Sequence, residues 1–157
     1  HDWRHPDNPH FDDPDQVVED NSYLAFQQGQ IRQGDGKNGY LEIRVEQDGV
    51  YRFELRRWPR EEDRAIVEGI PESDEGWRRD AVSENRWFYY TGGAAMPFDR
   101  ATLTIGDETW KTGISTSDKA AVFEVELKKG PVHLESAFLG NDGLVRGAYY
   151  VYVKRVG

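Results

Sequence analysis

From residue 40 onward, apolar and polar side chains alternate. Leu41, Ile43 and Val45 interleave with Glu42, Arg44 and Glu46, and Tyr51, Phe53 and Leu55 interleave with Arg52, Glu54 and Arg56. A period of two puts alternate side chains on opposite faces of an extended chain, so each run predicts a β-strand with one face in a core. Asp48-Gly49 between the two runs predicts a hairpin, because both central residues of a type I′ turn need positive φ. The pattern returns downstream. Leu103 and Ile105 lead into Gly106-Asp107 and then Thr109 to Lys111. Ala121, Phe123, Val125 and Leu127 lead into Lys129-Gly130 and then Val132, Leu134, Ser136 and Phe138. Asn141-Asp142-Gly143 turns the chain into a last strand, Gly147 to Lys154, rich in Tyr and Val. His133 falls on the face opposite Leu134, toward solvent. No stretch sustains a 3.6-residue period, and Glu61 to Ala65, after Pro59, offers one helical turn at most. Short strands with turns at regular spacing predict an all-β fold, an antiparallel β-sandwich or jelly roll.

Two stretches break the pattern. Residues 1–22 set Asp2, Asp7, Asp12, Asp13, Asp15, Glu19 and Asp20 against Arg4, with Pro6, Pro9 and Pro14 among them. That composition predicts an extended acidic linker or arm, leaving 23–157 as one sandwich domain. Residues 69–100 read as an irregular insert containing the aromatic run Trp87-Phe88-Tyr89-Tyr90.

Composition narrows the function classes. The 157 residues carry a formal net charge of -9, which argues against a nucleic-acid partner. No apolar run approaches the roughly 18 residues of a membrane span, so no membrane partner is expected. The absence of Cys excludes disulfides, thiolate metal sites and thiol nucleophiles. The chain opens on His1 rather than Met and shows no secretory signal, which reads as a processed product or an excised piece. G-x-S-x-G, P-loop, G-x-G-x-x-G and H-E-x-x-H signatures are missing. Nothing singles out a carboxylate pair for glycoside hydrolysis among the 29 acids.

Candidate chemistry gathers in two places. Leu55 to Asp63 ends a strand at Pro59 and crowds guanidinium, indole and carboxylate groups together. An Arg fork binds carboxylate or sulfate oxygens, and Trp offers a flat face to a sugar ring. The competing reading has Trp58 capping the core edge while Arg57 pairs internally with Glu61 or Glu62. In the second place, Trp87 and Tyr89 face one way along a strand and Phe88 and Tyr90 the other, so one pair is free to form a surface platform. The competing reading has all four closing one end of the sandwich. His1, His5 and His10 sit among acids without a rigid scaffold, which disfavours transition-metal ligation. Asp12-Asp13-Pro14-Asp15 has hard-oxygen ligands suited to a structural Ca²⁺ but not the spacing of an EF-hand loop.

Several segments together resemble the C-terminal domain of bacterial arylsulfatases. They are His1-Asp2-Trp3; Phe26 to Gly34 with Asn38-Gly39-Tyr40; Gly49 to Glu61; Met96-Pro97 through Ala101, Leu103, Ile105 and Gly106; Ala121-Val122-Phe123; and Gly147 to Val153. The segment Glu135-Ser136-Ala137-Phe138 departs from the family, which often has a Trp there. The resemblance implies an all-β accessory domain, also similar to β-sandwich carbohydrate-binding modules. Family sulfatases act through a formylglycine made in a C/S-x-P-x-R motif, beside a Ca²⁺ held by the N-terminal catalytic domain. This chain has neither Cys nor S-x-P-x-R, so no catalytic residue carries over and no enzyme activity is expected of it.

The expectation is therefore a non-catalytic domain that contacts polysaccharide or oligosaccharide through Arg57, Trp58, Glu62, Trp87 and Tyr89. The rings would stack on the sugar, Arg57 would take a sulfate or carboxylate, and Glu62 would orient hydroxyls. The alternative is a structural domain that packs on a sulfatase catalytic domain or mediates oligomerisation. A small hydrolase or lyase would need convergent acids of shifted pKa. A periplasmic or extracellular location follows from the resemblance, since such sulfatases act outside the cytoplasm.

Overall fold

The structure, a computed structural model, describes residues 31, 34, 39–71, 92–141 and 143–157. The strands are β1 (Tyr40–Val45), β2 (Gly49–Arg56), β3 (Phe98–Ile105), β4 (Glu108–Gly113), β5 (Ala121–Leu127), β6 (Gly130–Gly140), β7 (Val145–Gly147) and β8 (Tyr150–Arg155). They form two antiparallel sheets. The first runs β1-β6-β3-β4, with β7 also on β6, and the second runs β5-β2-β8. The expected last strand is split into β7 and β8 around buried Ala148. The expected helical turn is a 3-10 turn at Arg60–Glu62.

Alternation explains why the sheets stack. Phe53 and Leu55 of β2 and Phe123, Val125 and Leu127 of β5 point inward from the second sheet. Ala101, Leu103 and Ile105 of β3 and Leu134 and Phe138 of β6 meet them from the first, in one buried cluster. Phe53, Leu55, Leu103 and Phe138 have no exposed surface. Each such side chain stabilises the fold by about 1.5–3 kcal/mol through burial. The antiparallel β-sandwich read from the sequence is the fold observed.

The turns correct the sequence reading. Gly106-Asp107 does close a hairpin, with Ile105 opposite Glu108. Asp48-Gly49 and Lys129-Gly130 do not, because β1 and β6 lie in one sheet while β2 and β5 lie in the other. Both are arches that carry the chain across the sandwich. Alternation does not separate the two cases, since a hairpin and an arch each deliver alternate side chains to one core. Gly49 (φ 156) and Gly130 (φ 142) are far from the left-handed helical value of a type I′ turn, and each already begins the next strand. The arches run side by side: the Lys129 N–H donates to the Asp48 carboxylate at 2.7 Å. Arg155 donates to the Asp48 carbonyl at 3.0 Å. The Lys129 hydrogen bond, helped by the charges of Lys128 and Lys129, holds the Asp48 carboxyl below its usual range.

Residues 1–22, including the acidic arm and its histidines, lie outside the described residues, as does most of the insert.

Candidate functional site

Strand parity decides which side chains at the end of β2 face solvent. With Phe53 and Leu55 inward, Glu54 and Arg56 lie on the outer face, and Arg57 continues the inward series. Arg57 is 0% exposed. Its Nη1 donates to the Glu68 carbonyl at 3.1 Å and its Nη2 to the Ala94 carbonyl. Trp58 is 3% exposed, and its indole N–H donates to the same Glu68 carbonyl at 2.9 Å. Ile70 and Gly93 exchange backbone hydrogen bonds of 2.8 and 2.7 Å alongside. Burial pushes the Arg57 pKa down to about 10, with Tyr149 opposing and Arg146 adding to the shift, so the buried guanidinium stays charged at neutral pH.

This geometry corrects the expected ligand contacts. Arg57 and Trp58 have no free face for a sulfate or a sugar ring. They form a clasp that joins residues 68–70 to residues 93–94, the two ends of the segment 72–91. The internal partners of Arg57 are backbone carbonyls rather than Glu61 or Glu62. Glu62 is exposed on the 3-10 turn, with Arg64 Nε at 3.5 Å. Trp87 and Tyr89 lie outside the described residues.

The outer face of the second sheet holds a different cluster, built from side chains on adjacent strands. Glu54 lies opposite Tyr152, Arg56 opposite Tyr150 and Arg52 opposite Lys154. The Glu54 carboxylate takes hydrogen bonds from Arg56 Nε and, at 2.9 Å, from Arg60 Nη2. The Arg60 guanidinium lies 4.2 Å over the Tyr152 ring, and the Arg60 N–H donates to the Tyr152 hydroxyl at 3.3 Å. The 3-10 turn thus folds Arg60 back over the sheet. The Arg60 hydrogen bond, followed by Arg56, outweighs partial burial and holds Glu54 at a pKa of about 2. Arg56 Nη1 is buried without a hydrogen-bond partner.

Charge concentrates here against the sign of the whole chain. Arg52, Arg56, Arg60 and Lys154 share the β2–β8 half with Glu54, while Glu61 lies within electrostatic reach of Arg60 and Asp63 of Arg56. Glu124 and Glu126 lie across β2 on β5. A chain of net charge -9 thus gathers three guanidinium groups and one ammonium beside tyrosines, interleaved with carboxylates.

Arg56, Arg60 and Tyr152 are the residues that sequence reading passed over. The signal for Arg56 was the alternation itself, which places it opposite Leu55. Nothing local pairs Arg60 with Tyr152, which are 92 residues apart.

A second polar cluster occupies the outer face of the first sheet. His133 is solvent-facing, as expected, with its side chain 36% exposed. It lies between Glu42 and Glu135, with the Tyr40 ring stacked on it at 4.5 Å. Among the described residues no group of three His, Asp or Glu side chains is placed to hold a metal ion. The candidate Ca²⁺ segment at Asp12 to Asp15 is not among them. Among the described residues no helix is long and apolar enough to cross a membrane.

No family model matches the chain. No curated protein matches it either. Among solved structures it is similar to a CBM35 module from Cellvibrio japonicus Abf62, with 12% identity and a TM-score of 0.40. That likeness covers 78% of this chain and 67% of the module. It is also similar to a ruminal GH26 endo-β-1,4-mannanase, with 11% identity and a TM-score of 0.38. There it covers 87% of this chain but only 23% of the mannanase. Neither comparison transfers a residue to this chain.

Proposed function

We propose that this chain is a non-catalytic carbohydrate-binding domain whose saccharide docks on the β2–β8 face around Glu54, Arg56, Arg60 and Tyr152. The observation that carries the reading is the array of Arg60 over Tyr152 and against Glu54. A saccharide presents hydroxyls that need fixed donors and acceptors, and apolar C–H faces that need a ring edge or face. Here an anionic acceptor, two guanidinium donors and tyrosine rings are brought together by two adjacent strands and the 3-10 turn that follows β2. Trp87 and Tyr89, outside the described residues, remain proposed sugar contacts. Arg57 and Trp58 act by positioning, not by touching ligand.

The motif resemblance in the sequence supports a role as the accessory domain of a polysaccharide-acting arylsulfatase. It also supports a periplasmic or extracellular location and a partnership with a sulfatase catalytic domain. A structural Ca²⁺ at Asp12 to Asp15 belongs to the same proposal. One observation favours the structural alternative, packing on a neighbouring domain. Val153 has core-side parity, opposite Phe53, yet is 47% exposed. A glycan array compared between wild type, Tyr152→Ala and Arg60→Ala separates the two. Wild-type signals that fall in both variants support binding at this face. A blank array with self-association in ultracentrifugation supports packing.

A further inference from the structure

We propose that Glu42, His133 and Glu135 form a proton-holding clamp that fastens the edge strand β1 to β6 and loosens as rising pH deprotonates the ring. His133 Nδ1 lies 2.6 Å from Glu42 Oε1, and Nε2 lies 2.8 Å from Glu135 Oε1. An ionised carboxylate only accepts hydrogen bonds, and a neutral imidazole has a single N–H. A neutral ring between two carboxylates therefore donates to one and turns a lone pair against the other. An imidazolium donates to both. Two contacts at these distances call for the protonated ring.

The surroundings agree. From β1, Glu42 lies directly opposite His133, and Tyr40 covers the ring with its own. Arg44 stands one outward position further, opposite Pro131. From β6 itself comes Glu135. β3 brings Thr104, opposite Glu135, and leads to Gly106, whose N–H donates to the His133 carbonyl; neither is charged. The turn that follows carries the exposed acids Asp107 and Glu108. Partial burial disfavours the charge, but the hydrogen bonds that His133 donates to Glu42 and Glu135 outweigh it and raise the His133 pKa.

Among the described residues β1 lies at the end of its sheet path and pairs with β6 alone. Glu42 is its side-chain tie to His133. Protonated, the cluster is a cation between two anions. Deprotonated, it is two anions facing a ring that satisfies only one. A histidine whose pKa is raised by folding contributes its full stabilisation below the unfolded value near 6.5. That stabilisation is lost as pH climbs through the raised folded value. β1 is then held most firmly while His133 is protonated.

The test is an NMR titration of the His133 ring in the full chain, assigned by loss of its signal in His133→Gln. It is paired with hydrogen exchange of the β1 amides from pH 6 to 9. The expected result is a midpoint above 6.5 that moves down in both Glu42→Gln and Glu135→Gln. Opening of the β1 amides should also rise from pH 6 to 9 in wild type and stay flat in His133→Gln, once intrinsic exchange is removed. A midpoint at or below 6.5, a midpoint unmoved in both variants, or β1 opening with the same pH dependence in wild type and His133→Gln would overturn the clamp.

Discussion

The Arg57 guanidinium lies 4.5 Å over the Trp58 indole, and both side chains donate to one backbone carbonyl, that of Glu68. Adjacent residues at the end of a strand normally diverge. Here they converge because the chain leaves the sheet after Arg56 and turns both inward against the bases of a long insert. A buried arginine with backbone partners is costly to truncate, since its loss strands the carbonyls it satisfied.

Trp58→Ala is expected to destabilise the domain by about 3–5 kcal/mol, the range for emptying a buried aromatic site. Arg57→Ala should cost about 1–3 kcal/mol, mainly through the Ala94 carbonyl left without its donor. The double variant should cost less than the sum, because both side chains serve Glu68. Urea unfolding measures all three. Single variants within about 0.5 kcal/mol of wild type would refute the clasp.

Gly93 and Gly106 should fail for different reasons. A Cβ at Gly93 would collide with Trp58 Cη2, whereas one at Gly106 (φ +58) would meet no described residue within 4 Å. Gly106→Ala should therefore carry only backbone strain, about 1–2 kcal/mol, and Gly106→Asn less. Gly93→Ala should be relieved in a Trp58→Phe background, where the clashing ring atoms are gone. Equal relief of Gly106→Ala by Trp58→Phe would contradict this division.

Glu54 sets an acid limit. Its pKa is held at about 2, so its contribution is complete above the ordinary carboxylate value near 4.5 and is lost as pH falls through 2. Denaturation midpoints of wild type should fall across this window, and Glu54→Gln should flatten that part of the profile. An unchanged profile in Glu54→Gln would show that the contacts with Arg56 and Arg60 do not stabilise the fold.

Much of the sandwich was legible because burial leaves a period-two imprint, and Phe53, Leu103, Leu134 and Phe138 all obey it. Strand partners were not, because Asp48-Gly49 and Lys129-Gly130 look the same whether the chain doubles back or crosses over. The exposure of two candidate residues was misread by one position. Arg57 and Trp58 drew attention as a conspicuous pair, yet the alternation of Tyr51, Phe53 and Leu55 already assigned Arg57 to the inside and Arg56 to the outside. Arg60 on Tyr152 rests on the antiparallel pairing of β2 with β8, a contact between distant segments that no local pattern encodes.

The central claim is saccharide binding at the β2–β8 face. Calorimetric titration with a panel of neutral, carboxylated and sulfated oligosaccharides tests it most directly, in wild type, Tyr152→Ala and Arg60→Ala. The account predicts binding in wild type and at least a roughly tenfold loss of affinity, about 1.4 kcal/mol, in each variant. Silence of wild type across the panel, or undiminished affinity in both variants, would contradict it.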